Sequence, residues 1–200
     1  MRLLIKIFLI ILSFSTIPSY AQVPWREATA GNWRESPYKS SLPPFCGKKN
    51  GTKNPIFSGP NFRGDMTWGN HLCGALTKIP ICQNYSGNNR IECLNDQTRG
   101  YTYWISHSKN PNFGLLPYLH TGLGGLYFEM GKRLEAINEY NIALSKNPKY
   151  LKAYKGIIDV YISIGDLTNA QHYLDRALSI KELKAFKKRQ AEINKLKNLK

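Results

Sequence analysis

Four cysteines, all in the first half of the chain, are the residues best suited to covalent or metal chemistry. They are Cys46, Cys73, Cys82 and Cys93, and His71 lies close to the second of them. Structural zinc sites usually set their cysteines in close pairs, which this spacing lacks, so we predict two disulfides and no metal. Three pairings are open from the sequence alone. We favour Cys46–Cys73, which would staple an irregular segment to a helix, and Cys82–Cys93, which would close a polar loop.

Carboxylates are few ahead of the repeats described below. They are Glu27, Glu35, Asp65, Glu92 and Asp96. Two of them, brought together by folding, would suit hydrolysis of a cell-wall sugar, with aromatic residues nearby as a substrate platform. The chain has no Gly-x-Ser-x-Gly, no phosphate-binding glycine loop and no Cys-x-x-Cys-His haem motif. We therefore predict no enzyme and no cofactor, and the hydrolase stays as an alternative.

The first 21 residues are typical of a secretory signal peptide. A basic start precedes an apolar run at residues 7–14, and Ser19-Tyr20-Ala21 is a small-x-small end. That run is too short to span a bilayer, and no later segment approaches the required length. The pattern predicts cleavage after Ala21 and a periplasmic or secreted protein without a transmembrane segment. An oxidising compartment also favours disulfides.

The chain is strongly basic, with a formal net charge of +15 at pH 7. Loss of the first 21 residues would remove two positive charges and leave +13. Such a charge favours an acidic partner, an anionic lipid or a wall polymer. The basic residues follow no nucleic-acid-binding motif, so we predict no nucleic-acid partner.

Residues 123–178 match themselves after a shift of 34. The equivalent pairs are Tyr127 and Tyr161, Gly131 and Gly165, Ala136 and Ala170, Ala143 and Ala177, and Leu144 and Leu178. A fixed period of this length indicates stacked helix pairs, because one pair cannot bury its own apolar face. Alanine suits close helix approach, and glycine suits the end of the first helix of each pair.

This register resembles the tetratricopeptide repeat. The first copy carries Gly124, Tyr127, Ala136, Tyr140, Ala143 and Pro148, and the second carries Tyr161, Ala170, Leu174 and Ala177. The second copy departs from the family pattern at Ile158, where Gly or Ala is expected, and at Glu182, where Pro is usual. The resemblance implies a binding scaffold rather than an enzyme.

In that family the first helices of the repeats line a concave groove that holds a peptide. Carried over by register, the peptide-binding residues would be Tyr118, Thr121, Phe128, Glu129, Lys152, Lys155, Asp159 and Ile162, together with Gly125. Of the basic set with which some members grip a carboxylate, Lys155 alone is present, and Asp159 would repel a carboxylate. The resemblance therefore implies a mixed polar and aromatic peptide site. The alternative is that the N-terminal arm covers these residues.

The remaining segments flank the repeats. Residues 22–69 form a proline-rich aromatic arm, which packs against the helices or offers its rings to a sugar or peptide. Residues 70–114 form a degenerate repeat, with helices predicted from Asn70 to Ile79 and from Asn89 to His107. Its final Ser-Lys-Asn-Pro, at residues 108–111, recurs at 145–148, which places Tyr103 against Tyr140. Residues 115–180 are the two repeats, and 181–200 form a basic capping helix.

The sequence thus predicts an all-α protein: a tetratricopeptide-like stack of helical hairpins with an irregular, disulfide-stapled N-terminal arm. The predicted function is an exported scaffold that binds another protein or peptide of the cell envelope through the groove. The alternative partner is an anionic lipid or wall polymer, bound by residues 181–200.

Overall fold

The computed structural model describes residues 32–46, 60–62 and 65–199, so the predicted signal peptide and part of the arm lie outside it. Those residues form helices and short 3₁₀ turns, without a β-strand among them. The helices are α1 (Gly69–Cys82), α2 (Gly87–His107), α3 (Leu116–Glu129), α4 (Arg133–Lys146), α5 (Leu151–Ser163), α6 (Leu167–Ile180) and α7 (Lys184–Lys197). No helix of this described part is long and apolar enough to cross a membrane.

The helices pack in sequence as a stack of hairpins. The pairs α1–α2, α3–α4 and α5–α6 form the hairpins, and α2–α3 and α4–α5 join one hairpin to the next. Helix α7 closes the stack against α6 and α5. Because α3 also contacts α5, and α5 contacts α7, these helices form one continuous side of the stack. The predicted all-α hairpin stack is confirmed.

The two repeats end their first helices with the same turn. Gly131 and Gly165 take φ values of +79° and +75°, a left-handed conformation that glycine adopts without steric cost. In both turns the next residue donates its N–H to a carbonyl five residues earlier: Lys132 to Tyr127 at 2.8 Å, and Asp166 to Tyr161 at 3.0 Å. The 34-residue period is therefore a repeat of backbone geometry as well as of residue type.

Small residues let the hairpins approach closely. Ala136, Ala143, Ala170 and Ala177 are fully buried at the helix contacts of the two repeats. The ring of Tyr140 fills the space between successive hairpins.

Two tyrosines of second helices pack against glycines of the next hairpin. A Cβ added to Gly156 would lie 2.3 Å from the Tyr140 ring, and one added to Gly122 would lie 2.3 Å from the Tyr101 ring. Gly122 and Gly156 are themselves 34 residues apart. The buried ring of Tyr101 therefore explains the glycine at position 122.

The interface between the first two hairpins contains a different aromatic residue from the one predicted. The side-chain oxygens of Asn110 and Asn147 each accept the N–H two residues ahead, at 2.9 Å, so the turn at Asn-Pro is the same in both segments, although Ser145 and Lys146 are helical and Ser108 and Lys109 are not. The pairing of Tyr103 with Tyr140 is wrong, because Tyr101 occupies the equivalent buried place. Helix α2 ends at His107, before its Ser-Lys-Asn-Pro segment, whereas α4 continues to Lys146 within its own segment, so aligning the two segments does not align the two helices.

Helix α1 differs from its prediction at both ends. It begins at Gly69 with Trp68 at the N-cap, and it continues through Pro80 to Cys82. Proline removes one helical N–H, but it does not end this helix, where Cys82 is buried and bonded to Cys93. Helix α2 likewise begins two residues earlier than predicted, at Gly87.

Both favoured disulfides are confirmed. Cys46–Cys73 ties the arm to α1, and Cys82–Cys93 joins the end of α1 to the start of α2. Beside the first, Phe45 is buried, with its ring edge-on to those of Trp104 and Tyr118 at centroid distances of 5.4 Å. The arm therefore packs its aromatic residues into the helical core.

Buried Asp65 fastens the arm at a second point. Its carboxylate accepts the backbone N–H groups of Lys109 and Asn110 at 3.1 and 3.0 Å. Its backbone carbonyl accepts the indole N–H of buried Trp104. The start of α1 is thereby held against the end of α2.

Candidate functional site: a groove between α3, α5 and α7

An open groove of about 670 Å³ lies on the side of the stack formed by α3, α5 and α7. Phe128, near the end of α3, and Ile162, near the end of α5, supply half-buried apolar side chains. These two residues are 34 positions apart, so the repeat itself places both on one surface. The facing wall is α7, which contributes Lys188, Arg189, Ala191, Glu192 and Lys195.

Asp159, on the floor of the groove, is held by two cations. The Arg189 guanidinium donates to both carboxylate oxygens, through Nε and, at 3.1 Å, through Nη2. The Lys155 ammonium donates at 2.8 Å. Burial would raise the pKa of Asp159, but the hydrogen bonds from Arg189 and Lys155 outweigh it and hold this pKa below its usual range. Two positive charges thus face the single negative charge of Asp159, which the sequence analysis considered without these partners.

Two other predicted groove residues of α3, Tyr118 and Glu129, already have partners within the chain. Tyr118 packs against Phe45, and burial, with a smaller effect of Tyr150, raises its pKa to about 12. Glu129 accepts from Arg90 at 2.9 Å and from Gln83 at 3.2 Å. The arm therefore covers one end of α3, and the tip of the α1–α2 hairpin contacts the other.

Of the eight predicted site residues, the structure brings three to the groove lining: Phe128, Asp159 and Ile162. Lys155 reaches the groove through its bond to Asp159, and exposed Lys152 lies outside the lining. Thr121 has a buried hydroxyl oxygen for which the described residues provide no hydrogen-bond partner. A peptide-binding role for all eight stays a prediction.

Sequence reasoning missed the contribution of α7, which it treated as a cap. Phe186 and Ile193, seven residues apart, are the buried residues that dock α7 on the stack. Lys188 and Lys195 have the same spacing, two helical turns, and so share a neighbouring stripe. That stripe was visible in the sequence, but its position against Ile162 was not.

A second cleft, of about 460 Å³, lies between Trp33 of the arm and the α1–α2 hairpin. Tyr103 lines it, but His71 and His107 stack on this ring at centroid distances of 3.9 and 4.0 Å. Arg34 also lies over the Trp33 ring at 4.5 Å. These rings are therefore already stacked within the chain, which does not favour a sugar platform here.

The carboxylates considered for hydrolysis are placed differently from one another. Asp65 is buried and engaged by backbone N–H groups, and Glu35 lies on an exposed turn of the arm. Glu27 lies outside the described residues. Across the ranges that the structure covers, no three His, Cys, Asp or Glu side chains cluster to hold a metal ion.

Comparisons with known proteins add one partial similarity. The uncharacterized protein ycf37 of Pyropia yezoensis is 34% identical over 82 residues, which cover 40% of this chain and 46% of the relative. The chain thus spans less than half the length of that relative, whose name states no activity. No protein-family model matches the chain, and no solved structure matches it.

Proposed function

We propose that the chain is a tetratricopeptide-type scaffold that binds a segment of another protein in the groove between α3, α5 and α7. The equivalent glycine turns, the buried alanines of both repeats and the stacked hairpins support the assignment to this repeat class. The role is binding, not catalysis.

One observation carries the proposal: Phe128 and Ile162, equivalent residues of successive repeats, line the same open groove. Ligand sites combine apolar contact area with a few convergent polar groups. Here the apolar area is flanked by the ordered Asp159–Arg189 pair and by two lysines of α7.

The compartment we propose is the periplasm or the exterior of the cell. Two disulfides are typical of proteins in oxidising compartments, and their formation fits export directed by residues 1–21. The partner would then be another protein of the cell envelope.

Site-specific photocrosslinking in cells tests the groove. Benzoyl-phenylalanine replaces Ile162 or Phe128 in the groove, or Leu134 as the control, because Leu134 is 79% exposed but lies on α4 outside the lining. We expect the same covalent adduct from positions 162 and 128 and none from 134. Equal adducts from all three positions, or none from the groove positions, would contradict the proposal.

The exposed lysines of α7 favour a second candidate, an anionic lipid or wall polymer. Residues 181–199 carry seven Lys or Arg residues against two glutamates. Binding of this kind weakens steeply as salt rises. Sedimentation with anionic vesicles or purified wall material at increasing salt, with and without residues 181–200, measures it. Binding that does not weaken as the salt concentration rises would exclude this candidate.

A further inference from the structure

Helix α7 presents two ammonium groups to the groove that have no acidic partner among the described residues. Lys188 and Lys195 both line the groove and are exposed. Within residues 65–199, where the structure describes every side chain of the surrounding helices, neither lies within ion-pair distance of a carboxylate. By contrast, Lys187 pairs with Glu182 at 3.1 Å, and Lys155 pairs with Asp159 at 2.8 Å.

The spacing of the two lysines indicates where a ligand would need its negative charges. Seven residues of helix place Lys188 and Lys195 about 10 Å apart on one stripe. The apolar side chains of Phe128 and Ile162 lie across the groove from them. Glu192 lies between the lysines, and its carboxylate pairs with Arg189 at 3.7 Å.

We infer that the occupant of this groove is an acidic peptide segment of a partner protein, with carboxylates that bracket an apolar side chain. The apolar side chain rests on Phe128 and Ile162, and the flanking carboxylates pair with Lys188 and Lys195. The net positive charge of the chain, +15 in full and +13 without residues 1–21, attracts such a segment before contact. This inference rests on the proposed function and specifies its ligand.

The Asp159–Arg189 pair makes this half of the groove compatible with an acidic ligand. Arg189 and Lys155 hold Asp159 as an internal counterion, so the Asp159 carboxylate does not face the incoming acidic segment unpaired. The α3 end beside Tyr118 is covered by Phe45 of the arm. The segment therefore docks beside α7 and does not extend along the whole of α3.

Selection from a phage-displayed library of random 12-residue peptides tests the inference on the full, disulfide-bonded chain. The charge variant is Lys188→Gln with Lys195→Gln. Its matched control is Lys187→Gln with Lys197→Gln, which removes the same charge from exposed positions of α7 outside the lining. Ile162→Ala tests the apolar floor.

We expect enriched peptides to carry acidic residues on both sides of an apolar residue. The Lys188/Lys195 variant loses two exposed ion pairs with the peptide, so we expect it to bind the peptide on the order of 10-fold more weakly. The control variant should bind the peptide almost as well as the original chain. Enriched peptides without acidic residues, lost in Ile162→Ala but kept in the charge variant, would overturn the inference and leave the proposed function standing. No enrichment at all would overturn both.

Vesicles of phosphatidylcholine with phosphatidylserine distinguish a membrane from a peptide. If the groove binds a peptide, vesicles that bind the protein should not displace the selected peptide. Vesicle binding that displaces the peptide and falls equally in both lysine variants would assign the helix to an anionic surface and overturn the inference.

Discussion

At the scale of single residues, the contact between Tyr140 and Gly156 shows why the repeat needs glycine inside a helix. Glycine costs a helix about 1 kcal/mol relative to alanine. The cost is offset because the Tyr140 ring occupies the position of the missing Cβ. We expect Gly156→Ala to destabilise the protein by about 1–3 kcal/mol through overpacking, measured by urea unfolding.

Gly125 is the matched control for this substitution. It also lies inside a helix, but its added Cβ would meet no atom closer than 3.8 Å. Gly125→Ala should therefore raise the free energy of unfolding by up to about 1 kcal/mol. Equal effects of the two substitutions would show that the ring contact is not the reason for Gly156.

A second residue-scale prediction concerns Thr121, whose buried hydroxyl oxygen lacks a hydrogen-bond partner among the described residues. An unsatisfied buried polar group costs about 1–3 kcal/mol, so Thr121→Val should stabilise the fold by about 1 kcal/mol in urea unfolding. Thr77 is the control, because its buried hydroxyl donates to the carbonyl of Gly74 at 2.9 Å. Thr77→Val should destabilise the fold, and a stability loss in Thr121→Val would point to a bond that this structure lacks.

At the scale of elements, the Asp159–Arg189 pair docks α7 on α5. Both side chains are largely buried, at 18% and 19% exposure. Asp159→Asn leaves Arg189 with only the more distant carboxylate of Glu192, at 3.7 Å, so we expect a loss of about 1–3 kcal/mol at pH 7 and faster hydrogen exchange in α7. Asp175→Asn is the control, because Asp175 is exposed and accepts a hydrogen bond from Gln171 on its own helix.

The same pair predicts a pH dependence. The pKa of Asp159 is lower in the folded chain than its ordinary value near 4. Its contribution to stability is therefore complete above that value and is lost as pH falls through the folded pKa. Urea unfolding between neutral pH and pH 2–3 should show a smaller acid-induced loss in Asp159→Asn than in the original chain. Parallel curves would contradict this role of Asp159.

At the scale of the whole molecule, the features that could be predicted from the sequence are those set by the spacing of nearby residues. The 34-residue period predicted the glycine turns at Gly131 and Gly165, because a turn is specified by its own residues. The Cys82–Cys93 pairing was accessible for the same reason, since it closes a short loop. The groove was predicted only in part: register placed Phe128 and Ile162, but the wall provided by Lys188 and Lys195 depends on how α7 docks.

Long-range packing explains what the sequence did not reveal. Choosing Tyr101 over Tyr103 requires the rotational phase of α2 against α3, in which the Tyr101 ring packs on Gly122, and no local pattern records that contact. The continuation of α1 past Pro80 depends on the burial of Cys82. The cover over Tyr118 comes from Phe45, 73 residues earlier in the chain, and no local pattern connects the two.

That cover makes the Cys46–Cys73 disulfide a determinant of the molecule's shape at the α3 end. The bond closes a span of 27 residues, against 11 for Cys82–Cys93. Chain-entropy arithmetic predicts that replacing the two cysteines of each bond by serines lowers the free energy of unfolding by about 3.5 and 3 kcal/mol, respectively.

The free energy of unfolding therefore barely distinguishes the two variants, but hydrogen exchange does. Without Cys46–Cys73 the arm releases Phe45, so exchange should rise at residues 116–122 of α3. Without Cys82–Cys93 it should rise instead at the α1–α2 tip, where Arg90 meets Glu129. The same exchange pattern in both variants would mean that the arm is held to α3 without its disulfide.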